Sequence, residues 1–221
     1  MRRLRLVLAL VLGLTSGCAA SPEPPLPAGA ELVSAAARTF ATVRSTHFSL
    51  GVNGVLPGFP LRQIEGDATL DDGGRATGSA DVQDDVRRTK FTFDLRGGEV
   101  TRTDPSGTSR GPVPPEYAVP ALLGPDGGLR RLLDGVGSAV TERRERVEDV
   151  DAFRVGGVVP AAVATRVLPQ IHADVIVKVW MSESEPRRFV RLWLQVPPPG
   201  EHQSPVMFEL ALTRQNAVVL R

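Results

Sequence analysis

Apolar and polar side chains alternate with a period of two through most of this chain. Few features restrict a fold so tightly, because each alternating segment can bury only one face of a β-strand. Phe48, Leu50 and Val52 alternate with His47, Ser49 and Gly51, and Ile64, Gly66, Ala68 and Leu70 with Glu65, Asp67 and Thr69. DDGG at 71–74 marks a turn, after which Ala76, Gly78, Ala80 and Val82 share one side; Phe91, Phe93 and Leu95 then continue to Gly97 and Gly98. Strands that follow one another across such turns pair antiparallel, with one face apolar and the other wet. The same pattern returns over Ala139–Val147, with its ERRER centre read as an exposed hairpin strand, and over Phe153–Val159. It is clearest at the end, where Val175, Val177, Val179 and Met181 precede the turn SESEP, and Val190, Leu192, Leu194 and Val196 come back before Val206–Thr213.

Three segments have helical spacing instead. Residues 29–43 carry Leu32, Ala36 and Val43 on an alanine-rich background, 125–136 set Leu129, Leu132 and Leu133 on one stripe, and 160–169 are bounded by prolines. Six prolines between 104 and 125 argue against any regular element there, so this stretch reads as a long connection, apolar enough at Tyr117, Val119, Leu122 and Leu123 to rim or cover a pocket. The sum is nine or ten antiparallel strands and three short helices. The expected fold class is α+β: one domain with a strongly curved antiparallel sheet, a half-barrel, wrapping around short helices.

The inward positions of the second and third strands, Gly66, Ala68, Ala76, Gly78 and Ala80, are small for a core. Small side chains there leave room either for close helix docking or a bend, or for a cavity; alternation does not decide between them. On the cavity reading, alternation selects Leu50, Val52, Ala68, Ala80, Phe91, Phe93, Val177, Val179, Leu192 and Leu194 as wall candidates. Trp180, Phe189 and Trp193 put bulky groups on both faces of the last strands, which calls for a covering layer of chain or an apolar ligand.

The first residues are of another kind. MRRLRLVLALVLGLTSGC has three arginines, a short apolar run and a small-residue junction, the layout of a secretory signal and too short for a comfortable permanent span. Gly17 before Cys18 resembles a bacterial lipobox, although Thr15 stands where leucine is usual. On that reading residues 1–17 are a lipoprotein signal peptide, Cys18 is the lipidation site, 18–30 form a proline-rich tether and 31–221 a single domain. A single-pass anchor, or plain secretion with a spare thiol, are the alternatives.

Several function classes are disfavoured. The chain has 26 basic and 25 acidic residues, three of the arginines lie in the leader, and no basic stripe with interleaved aromatics runs over the body, so nucleic acid is not an expected partner. One cysteine can close no internal disulfide or thiolate cluster, and His47, His172 and His202 begin no ligand motif, so neither metal nor cofactor is expected. Walker and HExxH motifs are absent, and no enzymatic activity is expected.

The lipobox, LVSAAARTFATVRSTHFSLGVNG, GPDGGLRRLL, VGGVVPAAVATRVLP and VKVWMSESEPRRFVRLWLQV together resemble the actinobacterial cell-envelope lipoproteins of the LppX/LprAFG type. The chain departs from them in the polar stretch EVTRTDPSGTSRG and in its final turn, within LALTRQNAVVLR. The resemblance implies a LolA/LolB-like half-barrel with an apolar cavity between sheet and helices. It further implies that multiply acylated lipids or glycolipids are bound there and transferred or presented across the envelope, with a lipid transporter as a further partner. The protein would sit on the cell membrane through lipidated Cys18, its domain facing the periplasm-like space or cell wall. The competing expectation is an envelope lipoprotein with a filled core that serves as a protein-interaction or transporter accessory module.

Overall fold

A computed structural model describes residues 24–71, 74–84, 86–114, 118–198, 200, 203–218 and 220. The leader, Cys18, Tyr117 and His202 lie outside the described residues. Helix α1 (Gly29–Phe40) leads into five hairpin-connected strands and a sixth: β1 (Ser45–Asn53), β2 (Leu61–Thr69), β3 (Arg75–Asp84), β4 (Arg87–Arg96), β5 (Glu99–Asp104) and β6 (Gly107–Pro112). Helices α2 (Val119–Leu123) and α3 (Gly128–Asp134) follow, then β7 (Gly137–Val147), β8 (Val150–Val159), α4 (Ala161–Val167), β9 (Val175–Ser182), β10 (Phe189–Val196) and β11 (Val206–Thr213). All eleven strands form one antiparallel sheet in the order β6-β5-β4-β3-β2-β1-β11-β10-β9-β8-β7.

That order explains where the helices lie. The chain starts at the centre with β1, meanders outward to the edge strand β6, crosses to the opposite edge β7, and meanders back until β11 pairs with β1. The crossover carries α2 and α3, so both are laid across one face. α1 packs against β7–β10, α2 over β2 and β3, and α3 against α1, α2 and α4.

Two expectations are corrected. The sheet is open, neither strongly curved nor rolled into a half-barrel: β6 and β7 are its two edges and do not pair with each other. Alternation tells which side chains share a face and is silent on how far the face bends. A crossover through two helices, in place of a hairpin, keeps the edges apart. The proline-rich stretch is also not devoid of regular structure. Pro112 ends β6, an edge strand where its missing N–H interrupts no central ladder, and Pro120 sits in the first turn of α2, where that N–H has no helical partner to lose.

The edges are guarded differently. β6 is short and almost wholly exposed, and consists of Gly, Thr, Ser, Arg and Pro residues. β7 carries ERRER and is overlaid by the chain leading to α1: Thr141 Oγ1 donates to the Pro27 carbonyl at 2.6 Å, and Arg144 donates to the carbonyls of Pro24 and Pro25 at 2.9 and 3.3 Å. Charge and cover both discourage strand addition.

The outer face, away from the helices, is knit by ion pairs and one aromatic contact. Asp81 is buried and takes a two-pronged hydrogen bond from Arg88 at 2.8 and 2.6 Å, which holds its carboxyl below the usual range against the opposing effect of burial. Trp180 and Trp193 meet edge-to-face at 5.1 Å beside Ala152 and Val190, and the Trp180 indole N–H donates to Glu145 at 2.6 Å. His47 lies 2.8 Å from Asp67, which also accepts from Arg214, so this histidine belongs to a surface ion cluster. The bulky residues on the outer face therefore cover one another.

Candidate functional site

Beneath α1 the inner face is filled. Leu32, Val33, Ala36, Ala37 and Phe40 are all buried against the sheet, and the Phe40 ring lies 6.3 Å from that of Phe189. Beneath the shorter α2, α3 and α4 it is not filled. A cavity of about 290 Å³ opens there, with its floor made by the four central strands: Phe48 and Leu50 from β1, Ile64 from β2, Leu192 and Leu194 from β10, Phe208 and Leu210 from β11. Period-two spacing puts each of these on the inner face, and the β1–β11 pairing joins the two halves of the floor through the registers Leu50–Leu210 and Phe48–Leu212.

The roof comes from Val119, Leu122 and Leu123 of α2, Gly128, Arg131 and Leu132 of α3, Arg166 and Val167 of α4, and Leu168 and Ile171 just after it. The roof helices meet closely at Gly128, where a Cβ would stand 2.9 Å from both Leu122 Cδ1 and Val167 Cγ1. Gly74, at φ +71°, lets the β2–β3 turn seat α2: a Cβ there would lie 2.3 Å from Pro120 Cβ. At one end the β1–β2 loop folds in, Phe59 packing on Phe208 at 5.6 Å while Gln170 donates to the Gly58 carbonyl at 3.1 Å.

Of the ten wall candidates chosen by alternation, Leu50, Leu192 and Leu194 line this cavity. Ala68, Ala80, Phe91, Phe93, Val177 and Val179 are buried in the main core and do not line it. Val52 packs on the edge of the core and also borders a separate hollow of about 400 Å³ around Gly51 and Trp193. The small pair Gly66 and Gly78 answers a backbone requirement: they face each other across β2 and β3, and a Cβ on either would lie within 2.0 Å of a carbonyl oxygen of the neighbouring strand. Room beneath α2 thus comes with close packing of strand on strand and helix on sheet. Alternation missed Phe59, which lies in a loop, together with Arg131 and Arg166. The leucines and valines of the roof were visible as apolar residues in helix-like or proline-rich segments.

Chemically the wall suits an apolar group, and its polar members are the guanidinium groups of Arg131 and Arg166. Among the described residues its wall contains no hydroxyl, carboxylate, imidazole or thiol side chain, and no group of three His, Cys, Asp or Glu able to hold a metal occurs.

The sequence profile of the LppX_LprAFG lipoprotein family matches residues 28–216. The chain belongs to this family. It is 31% identical to the lipoarabinomannan carrier protein LprG of Mycolicibacterium smegmatis over 81% of this chain and 80% of that protein, and 30% identical to the LprG of Mycobacterium leprae over 80% and 75%. Among solved structures it is similar in fold to LprF from Mycobacterium bovis, with a TM-score of 0.73, 18% identity and coverage of 87% of this chain and 94% of that one. LppX from Mycobacterium tuberculosis gives a TM-score of 0.66 at 15% identity, covering 86% and 96%. The match spans the sheet and all four helices, so the cavity lies wholly within the family domain.

Proposed function

We propose that this lipoprotein takes up the acyl chains of a lipid or glycolipid in the cavity between β1, β2, β10, β11 and helices α2–α4, and transfers or presents that lipid across the cell envelope. The observation that carries this reading is the cavity wall: apart from two arginines, every described residue lining it is apolar. The relatives named as lipoarabinomannan carriers support it. Each CH₂ moved from water into such a wall is worth roughly 0.8 kcal/mol. The same chain in a bilayer already lies in an apolar medium, so exchange between membrane and cavity is close to balanced, which suits a carrier better than a store.

At about 290 Å³ the cavity is near the lower limit of roughly 300–1,000 Å³ for ligand pockets. A multiply acylated ligand therefore requires α2–α4 to ride up from the sheet. Lipidation at Cys18 would hold the domain on the membrane, facing the periplasm-like space or cell wall, and a transporter would hand lipid on.

Native mass spectrometry of the protein gently purified from a lipid-rich actinobacterial host tests the reading: an adduct of acyl-lipid mass is expected. Repeated preparations free of lipid that also fail to take up acyl lipid from vesicles would overturn it in favour of a partner-binding module. Cys18→Ala tests the anchor separately, the expected result being release of the exported protein from the membrane fraction.

A further inference from the structure

The two polar residues of the cavity wall are both cations. Arg131 and Arg166 lie in the last turns of α3 and α4, both are exposed, and both line the cavity; among the described residues no acidic side chain does. Most arginines among the described residues are matched. Arg130, the neighbour of Arg131 on α3, donates to Asp134 at 2.8 Å; Arg88 is held by Asp81, and Arg154 by Glu142 at 2.5 Å. Arg131 and Arg166 form no ion pair among the described residues, and the acidic residue near α4, Asp174, is engaged with the Ala161 N–H at 2.8 Å. Two unmatched guanidinium groups therefore border an otherwise wholly apolar void, one on each of two adjoining roof helices.

From this juxtaposition we infer that Arg131 and Arg166 bind the anionic head of the cavity's ligand, an acyl chain that ends in phosphate or carboxylate oxygens. The inference rests on the lipid-binding reading and adds selection of the head. A guanidinium presents paired N–H donors that match phosphate or carboxylate oxygens two at a time, and it costs less to desolvate than an ammonium. A chain lying between roof and floor would bring its head to the roof margin where the two arginines sit. A neutral diacylglycerol would fill the same void and leave both cations without an anion, so the pair discriminates between ligands with identical chains.

The test is displacement of a neutral pyrene-alkane from the full-length protein in detergent by dipalmitoyl phosphatidate, palmitate, dipalmitoylglycerol and inorganic phosphate. Phosphatidate or palmitate is expected to bind at least tenfold more tightly than dipalmitoylglycerol, and whichever is tighter identifies the head as phosphate or carboxylate. Arg131→Gln with Arg166→Gln is expected to remove most of that preference, weakening phosphatidate or palmitate binding at least several-fold more than dipalmitoylglycerol binding. Raising the salt from 50 to 500 mM should shrink the preference in the parent protein alone. Equal affinity for charged and neutral lipids, or equal loss of both in the double variant, would overturn the inference. Displacement by inorganic phosphate as strong as by phosphatidate would reassign the pair to a free anion and overturn it too. Failure of the pyrene-alkane and of every lipid to bind would instead bring down the underlying lipid-binding reading.

Discussion

Two stretches of the same inner face, one under α1 and the other under α2–α4, have similar apolar floors and opposite fillings. α1 is twelve residues long and presents Ala36 and Ala37 between Leu32, Val33 and Phe40, so its backbone comes down close to β8–β10 and its large side chains fill what remains. The roof helices have five to seven residues each, and they are spent on contacts with one another, at Gly128 against Leu122 and Val167 and at Gly135 against Val163. Helices that brace each other can span a gap. A helix that leans on the sheet closes it. The void is thus a product of how the cover is built more than of what the floor is made from.

The largest expected effect that tests this contrast is on stability. Phe40→Ala, on the filled side, should cost about 3–5 kcal/mol in urea unfolding, whereas Leu194→Ala, beside an existing void, should cost about 2 kcal/mol, the low end for such a truncation. Equal costs would mean that the cavity side is as tightly packed as the α1 side. Next comes overfilling. Leu194→Trp should lower uptake of a pyrene-alkane at least tenfold with under about 1.5 kcal/mol of destabilisation, while Val177→Trp should destabilise by about 1–3 kcal/mol and spare uptake. The reverse pattern would place the binding volume under α1.

A smaller effect should come from acid and touch both regions alike. The Arg88 hydrogen bonds hold the Asp81 carboxyl below its ordinary pKa, so its contribution is present above the unfolded-state pKa and is lost as pH falls through the lowered folded value. The thermal-midpoint difference between the parent and Asp81→Asn should therefore narrow as pH is lowered from 6 towards 2, and a difference that persists at pH 2 would contradict it. Least of all, Trp193→Leu should cost about 0.5–1.5 kcal/mol from the lost aromatic contact and leave uptake unchanged.

Much of the fold could be read from period two alone. The β9 pattern of Val175, Val177, Val179 and Met181 facing inward is found as expected. The return strand is shifted at its start, because a bulge between Phe189 and Arg191 turns Phe189 inward and sends Val190 to the outer face beside Trp180. Bulges leave no mark in an apolar tally, since Phe189 and Val190 suit either face. The site was less legible. Alternation brought Leu50, Leu192 and Leu194 to the right face, and the same rule brought Val177 and Val179 there; what separates them is which helix lies above, a tertiary matter. Phe59 enters from a loop, and no periodicity reports on loops. Arg131 and Arg166 look in sequence like any exposed helical arginine until their lack of ion-pair partners among the described residues can be seen.

Both tryptophans of this chain stand on the face of the sheet turned away from the helices, in contact with each other. Ultraviolet emission and the near-ultraviolet dichroism of this edge-to-face pair therefore report on the pairing of β9 with β10 and on the outer surface. They make a good clock for denaturation and a poor gauge of cargo. Occupancy has to be followed with a chromophore carried in by the guest or installed in the roof.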